Sequence, residues 1–123
     1  MPMQLIWEDE GVIRRFSGRV TVEDIRQSLQ QVHADRRFAK LRYSINDFLG
    51  AEPDIAVSKA ALADAALRTI LASTTNPAVL VAIVATQAQV LALAEFYTSP
   101  SYMPYKARVF QTVEQARDWI AQH

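Results

Sequence analysis

The sequence contains no cysteine. That excludes disulfides, thiol nucleophiles and sulfur-ligated zinc or iron, and it suits a reducing compartment. Glycine is almost as scarce. Gly11, Gly18 and Gly50 lie far apart and in no GxGxxG or GxxxxGK[ST] frame, so the phosphate cradles built on those loops are excluded. Net charge is lacking too, because 13 Lys and Arg balance 13 Asp and Glu, leaving no long-range field to attract nucleic acid or anionic lipid. Long hydrophobic runs are missing: Val79 to Ala85 falls far short of the roughly 20 apolar residues of a membrane span. The opening MPMQLIWEDE lacks the basic, apolar and small-residue blocks of a secretory signal. The expectation is a cytoplasmic protein with no metal, no cofactor and no nucleic-acid partner.

What is present is a globular composition: 123 residues, 50% of them hydrophobic. That is enough for one domain over residues 1–123 that buries roughly two-thirds of its unfolded surface. Met3 to Trp7 and Val12 to Ser17 read as a β-hairpin, with Gly11 suited to positive φ in the turn and Gly18 ending the second strand. Thr21-Val22-Glu23-Asp24 has the composition of a helix start, and Val22, Ile25, Leu29 and Val32 follow at three- and four-residue steps. Leu41 to Phe48 alternates as a strand covered mainly on one face, followed by a loop from Leu49 to Pro53.

Asp54 is the expected N-cap of a long alanine-rich helix reaching Ser73. Its core stripe is read as Ile55, Leu62, Ala66 and Ile70, flanked by Ala63 and Leu67, with Asp64 and Arg68 spaced as an i,i+4 pair on the wet side. Ala78 to Ala85 is apolar without alternation, the pattern of a central strand with helices on both faces. A helix from Gln87 to Tyr97, a proline-bearing loop, a strand from Ala107 to Phe110 and a helix opened by Thr112 complete the chain. The order ββαβαβαβα predicts an α/β fold: a mixed, mostly parallel five-stranded sheet with about four helices and an antiparallel first strand at the edge.

Few residues suggest chemistry. His33 and His123 have no second ligand at helical spacing, and His33 reads as a solvent-exposed residue near a helix end. Glu8-Asp9-Glu10 reads as a solvated turn. Arg14, Arg15 and Arg42 could make a basic patch, although strand arginines ordinarily reach the surface and pair with acids. Asn46 and Asp47 lie toward the carboxyl end of the third strand, where open α/β sheets place ligands, and they serve equally well as turn caps.

The segment Val90 to Tyr97 is apolar nearly all round, so beyond its core face it must meet another layer, a partner or an apolar ligand. Tyr102, Met103 and Tyr105 on the following loop have the composition of a contact surface. The candidate ligand or partner surface is therefore Asn46, Asp47, Asp54, Phe96, Tyr97, Tyr102, Met103 and Tyr105.

The hairpin followed by Phe16 to Ile25, the Val79 to Val84 strand and the ending Ala107 to Ile120 together resemble the SpoIIAA-like family, relatives of the sulfate-transporter and anti-sigma-factor-antagonist (STAS) domain. The resemblance covers most of the chain and implies a sheet flanked by helices with a non-enzymatic role. That role would be regulatory protein binding, with a protein partner or a second copy in a homodimer, or apolar-ligand binding by analogy with SEC14-type relatives. Sporulation-type antagonists carry a phosphorylated serine just after the third strand. Residues 46–53 hold no serine and Ser58 comes later, so that site is not carried over. An enzyme pairing Asp47 with His33 is a third reading, without motif support.

Overall fold

The computed structural model describes residues 3–53, 59–100 and 102–123. Strands β1 (Met3–Trp7) and β2 (Gly11–Val20) form the antiparallel hairpin, closed by Glu8 N donating to Gly11 O at 2.8 Å. Gly11 does not adopt positive φ there. It is needed because a Cβ would overlap the Tyr43 ring on the neighbouring strand.

Gly18, expected to end the strand, instead lies inside it at φ 64°, next to a register slip between Arg15 and Ser17. The bulge allows β2 to continue beside an equally long β3 (Tyr43–Pro53). Residues 49–53, expected as a loop, are thus paired strand, from Ser17 opposite Gly50 to Val20 opposite Pro53. Burial explains the extension. Ala51 is fully enclosed with Phe16 and Val20, and Phe16 stacks on Phe48 at 4.5 Å.

Strands β4 (Leu80–Val84) and β5 (Lys106–Phe110) complete a sheet in the order β1-β2-β3-β4-β5, with β2 to β5 parallel. The predicted architecture forms. The apolar β4 is an interior strand, as its sequence implies, although the middle position belongs to β3.

Helices α1 (Val22–Ala34), α2 (Lys59–Ala72) and α3 (Ala88–Tyr97) cross between successive parallel strands, and α4 (Val113–Ala121) follows the last. Thr21 and Asp24 form a reciprocal capping box on α1, and Thr112 Oγ1 accepts from Gln115 N at 3.1 Å to start α4. One sheet face, with Val12, Val81 and Ile83, packs with Val32 of α1, Ala94 of α3 and the loop residues Met103 and Tyr105. The other, with Ile13, Ile45 and Val84, packs on Ala116, Trp119 and Ile120 of α4. Because both faces are covered, Ser44 and Asn46 are buried, contrary to the one-sided β3 expected from alternation.

The core stripe expected on α2 is corrected in part. Asp54 and Ile55 lie outside the described residues. Ala66 is buried, but Leu67 and Ile70 are 56% and 40% exposed, and Ala65 and Thr69 take the inward positions. Small residues allow close approach, and Thr69 Oγ1 lies 3.0 Å from Tyr97 Oη of α3, so the Ala–Thr side is the one turned inward. Asp64 and Arg68 form the expected pair, at 3.3 Å.

Candidate functional site

The alternation of β2 places Val12, Arg14 and Phe16 on one side and Ile13 and Arg15 on the other. Arg15 reaches Asp47 at 3.4 Å and Arg42 reaches Glu10 at 3.0 Å, so these two arginines pair with acids as expected. Arg14 does not. It is 5% exposed beneath α1, where Nε and Nη2 donate to Ser28 Oγ at 3.1 and 2.6 Å. Ser28 Oγ in turn donates to Ile25 O at 2.8 Å. Burial lowers the Arg14 pKa to about 10, and it remains a cation at neutral pH.

Arg14 stands at the base of a cleft of about 60 Å³ between the sheet and helices α1 and α3. Ile25 and Leu29 of α1, Ile83 of β4, and Val90, Leu93 and Tyr97 of α3 supply most of the wall. A smaller cavity of about 30 Å³ continues past the arginine and brings in His33, Ser44 and Thr69. His33, expected at the surface, is half-buried with its ring 5.0 Å from Phe38. Burial, and then the Arg14 charge, pushes its pKa down to about 4, so it is neutral at pH 7.

Asn46 sits opposite Arg14 in the β2–β3 register and lines both cavities. Its Oδ1 accepts from Ser44 Oγ at 2.8 Å, which fixes the amide. Asp47, the next residue along the strand, projects to the opposite face, where its carboxylate accepts from Arg15 and from Leu49 N at 3.0 Å. Asp47 and His33 are therefore on different sides of the sheet and do not make one site.

The other sequence candidates divide. Tyr97 lines the cleft and shares a hydrogen bond with Thr69. Phe96 and Tyr102 are half-buried and pack on each other at 4.7 Å. Met103 and Tyr105, expected on a contact surface, are core residues, 7% and 8% exposed. Tyr105 Oη donates to Asn76 O at 2.6 Å, and its pKa is raised to about 12, chiefly by burial. Asp54 lies outside the described residues.

Sequence reasoning placed Arg14 in a surface basic patch and missed Ser28 and Asn76. For Arg14 the signal was available: an arginine two residues from both Val12 and Phe16 occupies an apolar strand face. Ser28 and Asn76 carry no such signal, because their partners come from other elements. Asn76 Nδ2 donates to Phe38 O and Leu41 O, each at 2.8 Å.

A sequentially ordered, mostly parallel sheet with three crossover helices on one face and a C-terminal helix on the other is a SpoIIAA-like fold, and the chain has it. An uncharacterized protein of the DUF3478 family with a SpoIIAA-like fold, from Shewanella loihica PV-4, superposes with a TM-score of 0.56 at 14% identity, over 96% of this chain and 91% of that one. The Bacillus cell fate determinant SpoIIAA in its phosphorylated form superposes with a TM-score of 0.60 at 13% identity, over 96% and 98%. No family model and no curated protein matches the sequence. Among the described residues, no helix is long and apolar enough to cross a membrane.

Proposed function

We propose that this chain is a non-enzymatic module of SpoIIAA-like fold that works by holding a small molecule with an apolar body in the cleft between the sheet and helices α1 and α3. The cleft itself carries the reading: its walls are almost wholly apolar, and its few polar groups converge at one end. Helix α3, apolar nearly all round, has a place in this arrangement. Val90 and Ala94 enter the core while Leu93 and Tyr97 border the cleft. Native mass spectrometry of protein purified without denaturation is the test. A bound mass, or a thermal shift with short apolar compounds, is expected. A bare chain that responds to none of them would sink the reading.

A second reading, a protein-interaction module that pairs with its own copy, is favoured by a different observation. Leu67, Ile70 and Leu71 form an exposed apolar stripe on α2, with Leu71 63% exposed. Asp64 and Arg68 beside it carry opposite charges, so a two-fold pairing could set each against its opposite in the second copy. Sedimentation analysis should then show a dimer that Leu67→Ser with Leu71→Ser dissociates. A wild-type monomer at every concentration would rule this out.

A further inference from the structure

Two buried side chains that line the cleft have, among the described residues, N–H groups with no protein acceptor; no fully enclosed side-chain nitrogen or oxygen among those residues lacks a partner, so these N–H groups are open to the cleft. Arg14 is more than nine-tenths buried, and both nitrogens that bond do so to one neutral hydroxyl. Among the described residues no carboxylate pairs with it, and Nη1 makes no protein hydrogen bond. Asn46 is 3% exposed; its Oδ1 is engaged by Ser44, while among the described residues Nδ2 has no protein acceptor. A buried charge without a counter-charge is costly, and paired or ligand-bound charges are the rule in protein interiors.

These donors are adjacent. Arg14 and Asn46 are register partners on parallel strands, so their side chains leave the sheet side by side. The neighbouring titratable group from α1 is His33, which is neutral at pH 7 and brings no negative charge. From α3 and α2 come the Tyr97 and Thr69 hydroxyls, bonded to each other. The polar end of the cleft is therefore positive, and the remainder is apolar.

Resting on the small-molecule reading above, we infer that the cleft binds a short-chain carboxylate, with Arg14 Nη1 and Asn46 Nδ2 receiving its oxygens and its alkyl tail lying against α3. One cationic charge and N–H groups on two neighbouring side chains match a planar monoanion with two oxygens; a phosphate dianion would leave its third oxygen and second charge unmatched. Size limits the tail. At about 60 Å³ the cleft is smaller than the roughly 150 Å³ cavity known to admit benzene, so it encloses the head group and first carbons. Longer tails would leave past the half-buried Ile25, Phe48 and Leu93.

The test is titration of the full chain, freed of bound molecules by unfolding and refolding, with hexanoate and with hexan-1-ol. Wild type should bind hexanoate at least tenfold more tightly than the alcohol, a preference of the size expected from a charge-assisted hydrogen bond. Hexanoate, and not hexanol, should move the Arg14 Nε resonance in the NMR spectrum. Arg14→Met should lose most of the hexanoate affinity and retain that for hexanol. If wild type binds the two equally, or Arg14→Met keeps its hexanoate affinity, the carboxylate assignment is wrong and the apolar-cleft reading stands. If neither probe binds at millimolar concentration, both fail. The wild-type comparison and the Arg14 resonance decide the matter even if the variant does not fold.

Discussion

Arg14 and Asn46 face each other across the β2–β3 ladder with both side chains buried, and among the described residues neither meets an acidic group. In the ligand-free protein this makes Arg14 a stability liability. Arg14→Met, which keeps the length and removes the charge, should leave stability unchanged or raise it by about 1 to 3 kcal/mol in urea unfolding. Destabilisation of similar size would mean that the two bonds to Ser28 outweigh the cost of burying the guanidinium.

Asn76 ties three pieces of backbone together: its amide donates to the carbonyls of Phe38 and Leu41, and its Oδ1 accepts from Ala78 N at 3.1 Å. Asn76→Ala leaves buried polar groups unpaired and should cost about 2 to 4 kcal/mol, read by urea unfolding. Tyr105→Phe, which removes only the bond to Asn76 O, should cost about 1 to 2 kcal/mol.

The glycines separate two kinds of constraint. Gly11→Ala puts a methyl group into the Tyr43 ring, whose hydroxyl is anchored on Glu8 Oε1 at 2.5 Å, and should cost about 2 kcal/mol or more, measured by thermal unfolding. Gly18→Ala meets open space and only the penalty of φ 64°, about 1 kcal/mol. Equal losses at the two sites would contradict this division.

His33 gives stability a pH dependence of definite sign. In the folded protein it stays neutral down to about pH 4, whereas the unfolded chain protonates it near 6.5. Between those values the unfolded state binds more protons, so stability should decline as pH falls from about 6.5 to about 4 and be insensitive to this group above that window. Allowing for the ring's partial contact with water, the loss is ~1 to 2 kcal/mol. Glu8 and Asp35, both held below their ordinary pKa by arginines, add losses of the same sign. Urea unfolding of wild type and His33→Gln across this range isolates the histidine, and parallel curves would refute its role.

The elements were largely legible because local signals agreed with the fold: the Thr21 and Thr112 starts, the unbroken apolar run of β4 and the opening hairpin. Misreadings arose where long-range packing overrode a local cue. Gly18 and Pro53 signal breaks, but the burial of Phe16 and Ala51 carries the β2–β3 pairing through both. On α2, periodicity favours the larger residues for the inward side, yet Ala65, Ala66 and Thr69 permit the tighter approach. The site was half legible. Asn46 and Tyr97 border the cleft, whereas Arg14 was read as a surface residue on the general habit of arginines, and Tyr105 turned inward because Asn76 O offered its hydroxyl a partner.

The strands are stacked in the order in which they are synthesised, so each one emerges from the ribosome to find its sheet neighbour already made. The cleft does not share that schedule. Arg14 and Asn46 can be in place once β3 exists, while Val90, Leu93 and Tyr97 arrive some 40 to 50 residues later, which at roughly 5 to 20 residues per second is seconds of translation. During that interval α1 covers the arginine through Ser28 while its α3 side stays open to water, so the last part of the cost of withdrawing it from water falls on the docking of α3.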